Sequence, residues 1–244
     1  MFRNLLVLLI LCLNLNANVD LSSLEKQYLE KLYEINDVDY SYKNSLEIIP
    51  FENNKEDKKS TLTYIYKDQQ KSLIIFQKPK SMEEKVVLSI GKNKWLYSPK
   101  VSKAIRIASS SSLYGDVSVE DILKYSLKND YELNQIEKTN NTVIFTFNGV
   151  KDGLYFSKKV IEYDNKSEKI LKVNNYSRNN FHLNSVEYSI DEDGNEVYKI
   201  VNNINKNKFT FVKLLPKEKL NSVDEKYFQT SNLDKVYNWF LNNE

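Results

Sequence analysis

The sequence predicts a mainly β protein with capping helices (α+β), built on one large curved antiparallel sheet of about ten or eleven strands. Three observations predict it. From about Leu46 the hydrophobic period is two, as where Leu62, Tyr64 and Tyr66 alternate with Thr61, Thr63 and Ile65. Polar turns divide the β-rich runs at short spacing, the signature of an antiparallel meander. Helical periodicity is confined to three short stretches, too few to cover so long a sheet, so the sheet must curl on itself to bury an apolar row.

The elements follow in order. Phe2-Arg3-Asn4 is a short positive start, and Leu5 to Leu13 is an apolar run too short to span a bilayer. Polar residues follow and end on Ala17, so residues 1–17 are expected to be a cleavable signal peptide and 18–244 a single domain. Cys12, the chain's one cysteine, lies inside the apolar run and follows Leu11, where a lipoprotein signal needs a small residue. The mature chain then has neither disulfide nor thiol, which an oxidising compartment permits.

Leu21, Leu24, Tyr28 and Leu32 recur at helical spacing, with Glu25, Lys26, Glu30 and Lys31 between them, and predict a helix over 21–33. Glu52 to Ser60 reads as a turn between strands. Leu73 to Phe76 and Val86 to Ile90 are β-rich; Trp95 and Tyr97 share a face, as do Ile105 and Ile107, with Arg106 opposite them. A helix over 118–127 interrupts the strands, capped by Ser118 with Glu120 and Asp121 at its positive end. Strands resume at Thr142 to Phe147, Lys158 to Tyr163, Ile170 to Tyr176, Val186 to Ile190 and Val197 to Val201, the last two joined by an Asp193-Gly194 turn. Phe209, Phe211 and Leu214 mark another strand, and 233–241 a final helix.

Charge and motif content argue against several classes. The chain has 35 Lys and Arg against 33 Asp and Glu, and the leader removes only Arg3, so there is no electrostatic case for nucleic acid. His182 is the single histidine, with no partner spacing for a triad or a metal, and reads as structural. Ser109 to Ser112 lacks a nucleophile elbow and a base, and five glycines supply no phosphate loop. Glu83-Glu84 and Glu120-Asp121 fit solvation and capping better than acid–base chemistry. No enzyme activity, cofactor or metal is expected. Tyrosine is abundant, at 17 residues beside 11 Phe, and suits both a core and a ligand lining.

The segment from Phe76 to Leu123 carries a specific order. A strand ends at Pro79, and Val86 to Gly91 forms an apolar strand closed by glycine. Trp95-Leu96-Tyr97-Ser98-Pro99 follows, then Ala104-Ile105-Arg106-Ile107-Ala108-Ser109, then Gly115-Asp116-Val117-Ser118-Val119-Glu120-Asp121-Ile122, with Asp130-Tyr131 beyond. This order resembles the outer membrane lipoprotein-sorting protein family, the LolA-like periplasmic carriers, and a looser likeness covers most of 20–235. The chain departs from the family pattern in keeping only Arg106 of an arginine-rich strand and in lacking a proline near Ile170.

The resemblance implies an unclosed antiparallel barrel capped by helices around an apolar cavity, a periplasmic location, and a monomer that carries lipoprotein acyl chains or another lipid between an inner-membrane exporter and an outer-membrane acceptor. The three helices are the expected lids. Leu62, Tyr64, Leu88, Trp95, Tyr97, Ile105, Ile107, Phe145 and Phe147 are the expected cavity residues, with the alternative that the opposite face of a given strand is the one turned inward. Arg106 is expected at the mouth, binding a lipid phosphate or holding a lid, against a solvated outward arginine. An envelope-stress sensor that binds lipid, or an accessory lipid-binding subunit of an RND-type exporter, are the alternatives.

Overall fold

The sheet grows outward in both directions from a central strand, β1 (Tyr42–Glu52). The computed structural model describes residues 21–123, 125–205 and 207–242, so the expected signal peptide lies outside the described residues. From β1 the chain steps through β2 (Ser60–Asp68), β3 (Lys71–Lys78), β4 (Val86–Ile90), β5 (Asn93–Ser98) and β6 (Lys103–Ile107) to one edge of the sheet. It restarts at the other edge with β7 (Tyr131–Lys138), then β8 (Thr142–Gly149), β9 (Lys158–Asp164), β10 (Lys169–Tyr176), β11 (His182–Ile190), β12 (Glu196–Asn202) and β13 (Lys208–Leu214). β13 then pairs back on β1.

The strand order is β7-β8-β9-β10-β11-β12-β13-β1-β2-β3-β4-β5-β6, antiparallel throughout, with the short pieces Lys55–Glu56 and Glu218–Lys219 also paired to β1. β6 and β7 do not pair, so the curved sheet stays open between them. This is the unclosed antiparallel barrel that the sequence predicts. Among the long strands the sequence reading missed β7, whose exposed Glu132, Gln135 and Glu137 mask the alternation and whose register shifts between Leu133 and Gln135; it also missed the short pieces Lys55–Glu56, Ser112–Tyr114 and Val117–Ser118.

The inner face carries the main core. Leu46, Leu62, Tyr64, Ile74, Phe76, Val87, Phe145, Phe147, Ile161, Val173, Val186, Ile200 and Val212 meet there across the sheet, together with Leu32 of the first helix and Val119 and Ile122 of the β6–β7 connection. Helix α1 (Ser23–Asn36) starts two residues later and ends three later than the expected 21–33, and opens with a capping box between Ser22 and Glu25. The expected helix over 118–127 forms as two single turns, α2 (Val119–Ile122) and α3 (Leu127–Asp130). Leu123 is extended and ends the first turn, and Ser126 caps the second by accepting from the Asn129 amide at 3.0 Å. Ser118 caps α2 as expected, in a capping box with Asp121.

The helix α4 (Leu233–Leu241) forms where the sequence places it, on the opposite face from its expected lid position. Its Leu233, Val236 and Phe240 pack with Ile65, Leu73, Ile75, Val86 and Leu88, joined by Val223 and Phe228 from the segment before it. Strands β2 to β4 are therefore buried on both faces, which is why Leu73–Phe76 of β3 and Val86–Leu88 of β4 read as unbroken apolar runs. No helix among the described residues is long and apolar enough to cross a membrane.

The β6–β7 connection is fixed to the sheet at one tight point. Gly115 turns with a φ of +56°, and a Cβ there would stand 2.8 Å from Pro50 Cγ on β1. A Gly115→Ala substitution is expected to cost about 2 kcal/mol, from left-handed backbone strain plus the clash. Urea unfolding checks it: the midpoint falls and the m-value is unchanged.

Candidate functional site

A cavity of about 360 Å³ opens on the inner face, between the end of α1, the α2–α3 segment and strands β1, β2 and β10 to β13. That size lies within the roughly 300–1,000 Å³ span of small-molecule sites. Ile122 and Leu123 roof it, Leu46, Val212, Leu214 and Ile170 line its walls, and five tyrosines surround it: Tyr42, Tyr64, Tyr125, Tyr188 and Tyr198. Register explains the clustering. Tyr188 and Tyr198 are directly opposite on β11 and β12, with ring centroids 4.6 Å apart, and Asn44 stands opposite Tyr64 on β1 and β2. Tyr42 stacks on Tyr66 at 5.1 Å. Burial pushes the hydroxyls of Tyr42, Tyr125, Tyr188 and Tyr198 far up, so each stays a neutral phenol across the physiological range. Tyr198 Oη donates to Glu196 Oε2 at 3.1 Å.

The roof is held by polar contacts at the end of α1. Asp37 accepts from the Leu127 and Lys128 amides, each at 3.1 Å, and Asn36 Nδ2 donates to the Tyr125 carbonyl at 3.2 Å. These satisfy donors at the start of α3 and bind the two roof segments into one unit.

Below the roof a polar row crosses the inner face. Lys159, Asn175 and Asn184 are successive cross-strand neighbours on β9, β10 and β11. All three are buried, Lys159 at 2% exposure. Lys159 Nζ donates to Asn175 Oδ1 at 2.9 Å, Asn175 Nδ2 to Asn184 Oδ1 at 2.8 Å, and Asn184 Nδ2 to Asp121 Oδ1 at 2.9 Å. The other oxygen of Asp121 accepts from the amide and hydroxyl of Ser118, at 2.8 and 2.6 Å. The ammonium is boxed by the rings of Tyr125, Phe156 and Tyr131, at 3.9, 4.6 and 5.6 Å from their centroids. Burial presses its pKa down to about 7, outweighing the pull of Glu120 and Asp121. Burial also raises the Asp121 carboxyl, against its bonds from Ser118 and Asn184.

The expected cavity residues divide between the two faces. Tyr64 lines the cavity. Leu62, Phe145 and Phe147 are buried in the inner core beside it, and Ile107 packs against that core. On β4 and β5 the inward face is the alternative one: Val87 and Leu96 turn inward, while Leu88, Trp95 and Tyr97 turn outward beneath α4 and the segment before it. Ile105 stands opposite Leu96 on the last strand, where no further strand covers it, and is 49% exposed. Arg106 stands opposite Trp95, on the outer face, and donates to Asn93 Oδ1, away from the cavity mouth. His182 stacks on Tyr176 and has its Nε2 3.0 Å from the Asn184 carbonyl oxygen. Among the described residues, no group of His, Cys, Asp and Glu is arranged to hold a metal.

The sequence reading missed Leu46, Tyr188, Tyr198, Val212 and the polar row. A signal for the row exists: Lys159 shares strand parity with Ile161 and Tyr163, as Asn175 does with Val173 and Asn184 with Val186.

Residues 68–235 match a family model with the description "Uncharacterized protein". The chain belongs to that family. No curated protein matches it. Among solved structures it is similar to a LolA superfamily protein from Nitrosomonas europaea, at 19% identity and a TM-score of 0.71, over 84% of this chain and 97% of that one. A DUF1329 family protein from Desulfovibrio piger matches at 17% identity and 0.68, over 85% and 98%. An outer membrane lipoprotein-sorting protein domain from Vibrio parahaemolyticus matches at 19% and 0.66, over 86% and 99%. The fold is thus of the LolA type, as the sequence resemblance implies.

The boxed lysine gives a pH signature. Below about pH 7 Lys159 is charged both folded and unfolded, and folding bears its desolvation. Between about 7 and the ordinary lysine value of 10.5 the unfolded chain holds a proton that the folded chain has lost, so stability rises with pH. Wild type is expected to gain stability across that window relative to Lys159→Met, read as the difference between their urea-unfolding free energies at pH 7 and pH 9.5. A pH-independent difference excludes the depressed value.

Proposed function

We propose that this protein is a periplasmic carrier that holds the acyl chain of a lipoprotein, or of another lipid, in its inner-face cavity during transfer towards the outer membrane. The observation that carries the reading is the cavity itself, a tyrosine- and aliphatic-lined space under a two-segment roof. The LolA-type fold supports it, as does the physics of transfer: each methylene moved out of water contributes about 0.8 kcal/mol, so a long acyl chain needs a protected route between membranes. In this reading residues 1–17 are the signal peptide, 18–244 form one carrier domain without enzyme activity, and an inner-membrane exporter and an outer-membrane acceptor are the partners. Leu62, Phe145 and Phe147 back the lining that Tyr64 shares with Leu46, Tyr188, Tyr198 and Val212.

Native mass spectrometry of the mature chain, purified from a Gram-negative periplasm without detergent, tests it. A bound acylated species is expected, and its mass tells lipoprotein from free lipid. A bare protein mass with no uptake of added lipid overturns the reading.

Two substitutions locate the cargo. Leu214→Trp projects into the cavity and is expected to lower uptake of a fluorescent fatty acid by at least roughly tenfold, with little loss of stability because Leu214 is only half-buried. Trp95→Ala, on the outer face, is expected to cost about 2 kcal/mol of stability, less than a fully buried Trp, and to leave uptake unchanged.

A further inference from the structure

We infer that the cavity selects an anionic amphiphile, tail inward, with a carboxylate or phosphate head held at the mouth by Lys169 and Lys217. The inference rests on the carrier reading and adds the charge of the cargo. The mouth lies at the end of the sheet where β10 and β12 begin and β11 and β13 end. Its lip is aliphatic and wet: Ile35, Leu171 and Ile190 are 42%, 41% and 50% exposed. Beyond the lip stand four charges, Glu168, Lys169, Glu196 and Lys217.

One acid is ion-paired and the other is not, so the mouth sets two unpaired ammoniums against one unpaired carboxylate, Glu196. Glu168 faces Lys31 Nζ at 3.9 Å, and Glu196 takes the Tyr198 hydroxyl at 3.1 Å. Among the described residues neither lysine is ion-paired: Lys169 stands across β9 and β10 from Asp164 without an ion pair, and Lys217 rests on the face of Tyr42, 5.6 Å from its ammonium. On the nearby surface Lys213 is bonded to Asp191 at 2.7 Å and Lys43 to Glu218 at 3.2 Å, while Lys219, outside the cavity lining, rests on the face of Tyr40 at 5.4 Å. A tail that fills the cavity brings its head towards these two cations, neither of which is ion-paired. A quaternary ammonium head finds only the single carboxylate of Glu196 there, and the aromatic box around Lys159 is already filled by that residue's own side chain.

The test uses the mature chain and three single-chain probes with the same palmitoyl tail: lysophosphatidylglycerol, lysophosphatidylcholine and palmitate. Affinities are measured below the micelle threshold at low and moderate salt. Each exposed ammonium near an anion is worth a few-fold, so the glycerol lipid and palmitate are expected to bind roughly tenfold more tightly than the choline lipid, with the gap narrowing as salt rises. The double variant Lys169→Gln/Lys217→Gln is expected to erase the gap by weakening the two anions and leaving the choline lipid unchanged. Selectivity for one anion alone assigns the head as phosphate or as carboxylate. Equal binding of all three probes, or a gap that survives the double variant, overturns the charge selection and leaves the carrier standing. Binding of none overturns both.

Discussion

The pairing of β13 with β1 is the constraint from which the rest of the structure follows. It joins two independent meanders, one leading away from β1 and one leading back to it, into a single sheet. The register sets Leu46 opposite both Leu62 and Leu214, and Ile48 opposite Val212, so one apolar row continues from one meander to the other. A row that long cannot be covered by a few short helices. Curvature buries it instead, and a right-handed twist accumulated over so many strands supplies the curvature. The two edges never meet, so the chain between them is free to fold over the inner face, and that segment becomes α2 and α3.

Burial on two faces decides which side chains are available to a ligand. Over β2 to β4 the outer face is taken by α4, so Ile65, Leu73 and Leu88 contribute to a second core and not to the cavity. Over β10 to β13 the described residues place no helix on the outer face, and alternation is clean: Val173, Val186, Ile200 and Val212 turn inward while their neighbours are partly exposed. The cavity lies mainly against this second half. Its tyrosines suit it, because a phenol presents an apolar ring to a chain and keeps a neutral hydroxyl for water or an ester carbonyl.

Most of the fold was legible because strand alternation and turn chemistry are local. The cap at Ser118, the turn at Gly194 and the extent of α4 are all short-range facts. The cavity was less legible because facing is not local. Trp95 and Tyr97 share a face in the sequence, but only the seat of α4 reveals that this face is the outer one. Arg106 inherits the error through its register with Trp95. The polar row was hidden for a related reason: lysine and asparagine inside a strand normally mark its solvent side, and here three strands must be aligned before Lys159, Asn175 and Asn184 become neighbours.

That row meets the cavity at Asp121. A buried ammonium is costly, and replacing such groups with apolar side chains of the same shape often stabilises a protein. What the row supplies instead is a boundary. The inner face runs from aliphatic and phenolic at Leu214, Tyr188 and Tyr198 to amide and ammonium at Asn184, Asn175 and Lys159, and an acyl chain pushed across that line would strip hydrogen bonds from groups that have no water to replace them. Asp121 stands on the line. It lines the cavity on one side and a small pocket of about 180 Å³ on the other, where Ser110, Ser112, Asp116 and Asn202 make the wall polar. The bond from Asn184 to Asp121 therefore both caps the roof and partitions the interior into an apolar compartment open at the mouth and a polar one behind it. In the carrier reading, a chain entering from the mouth would meet this row at Asp121, and the free energy of breaking its hydrogen bonds would oppose going further.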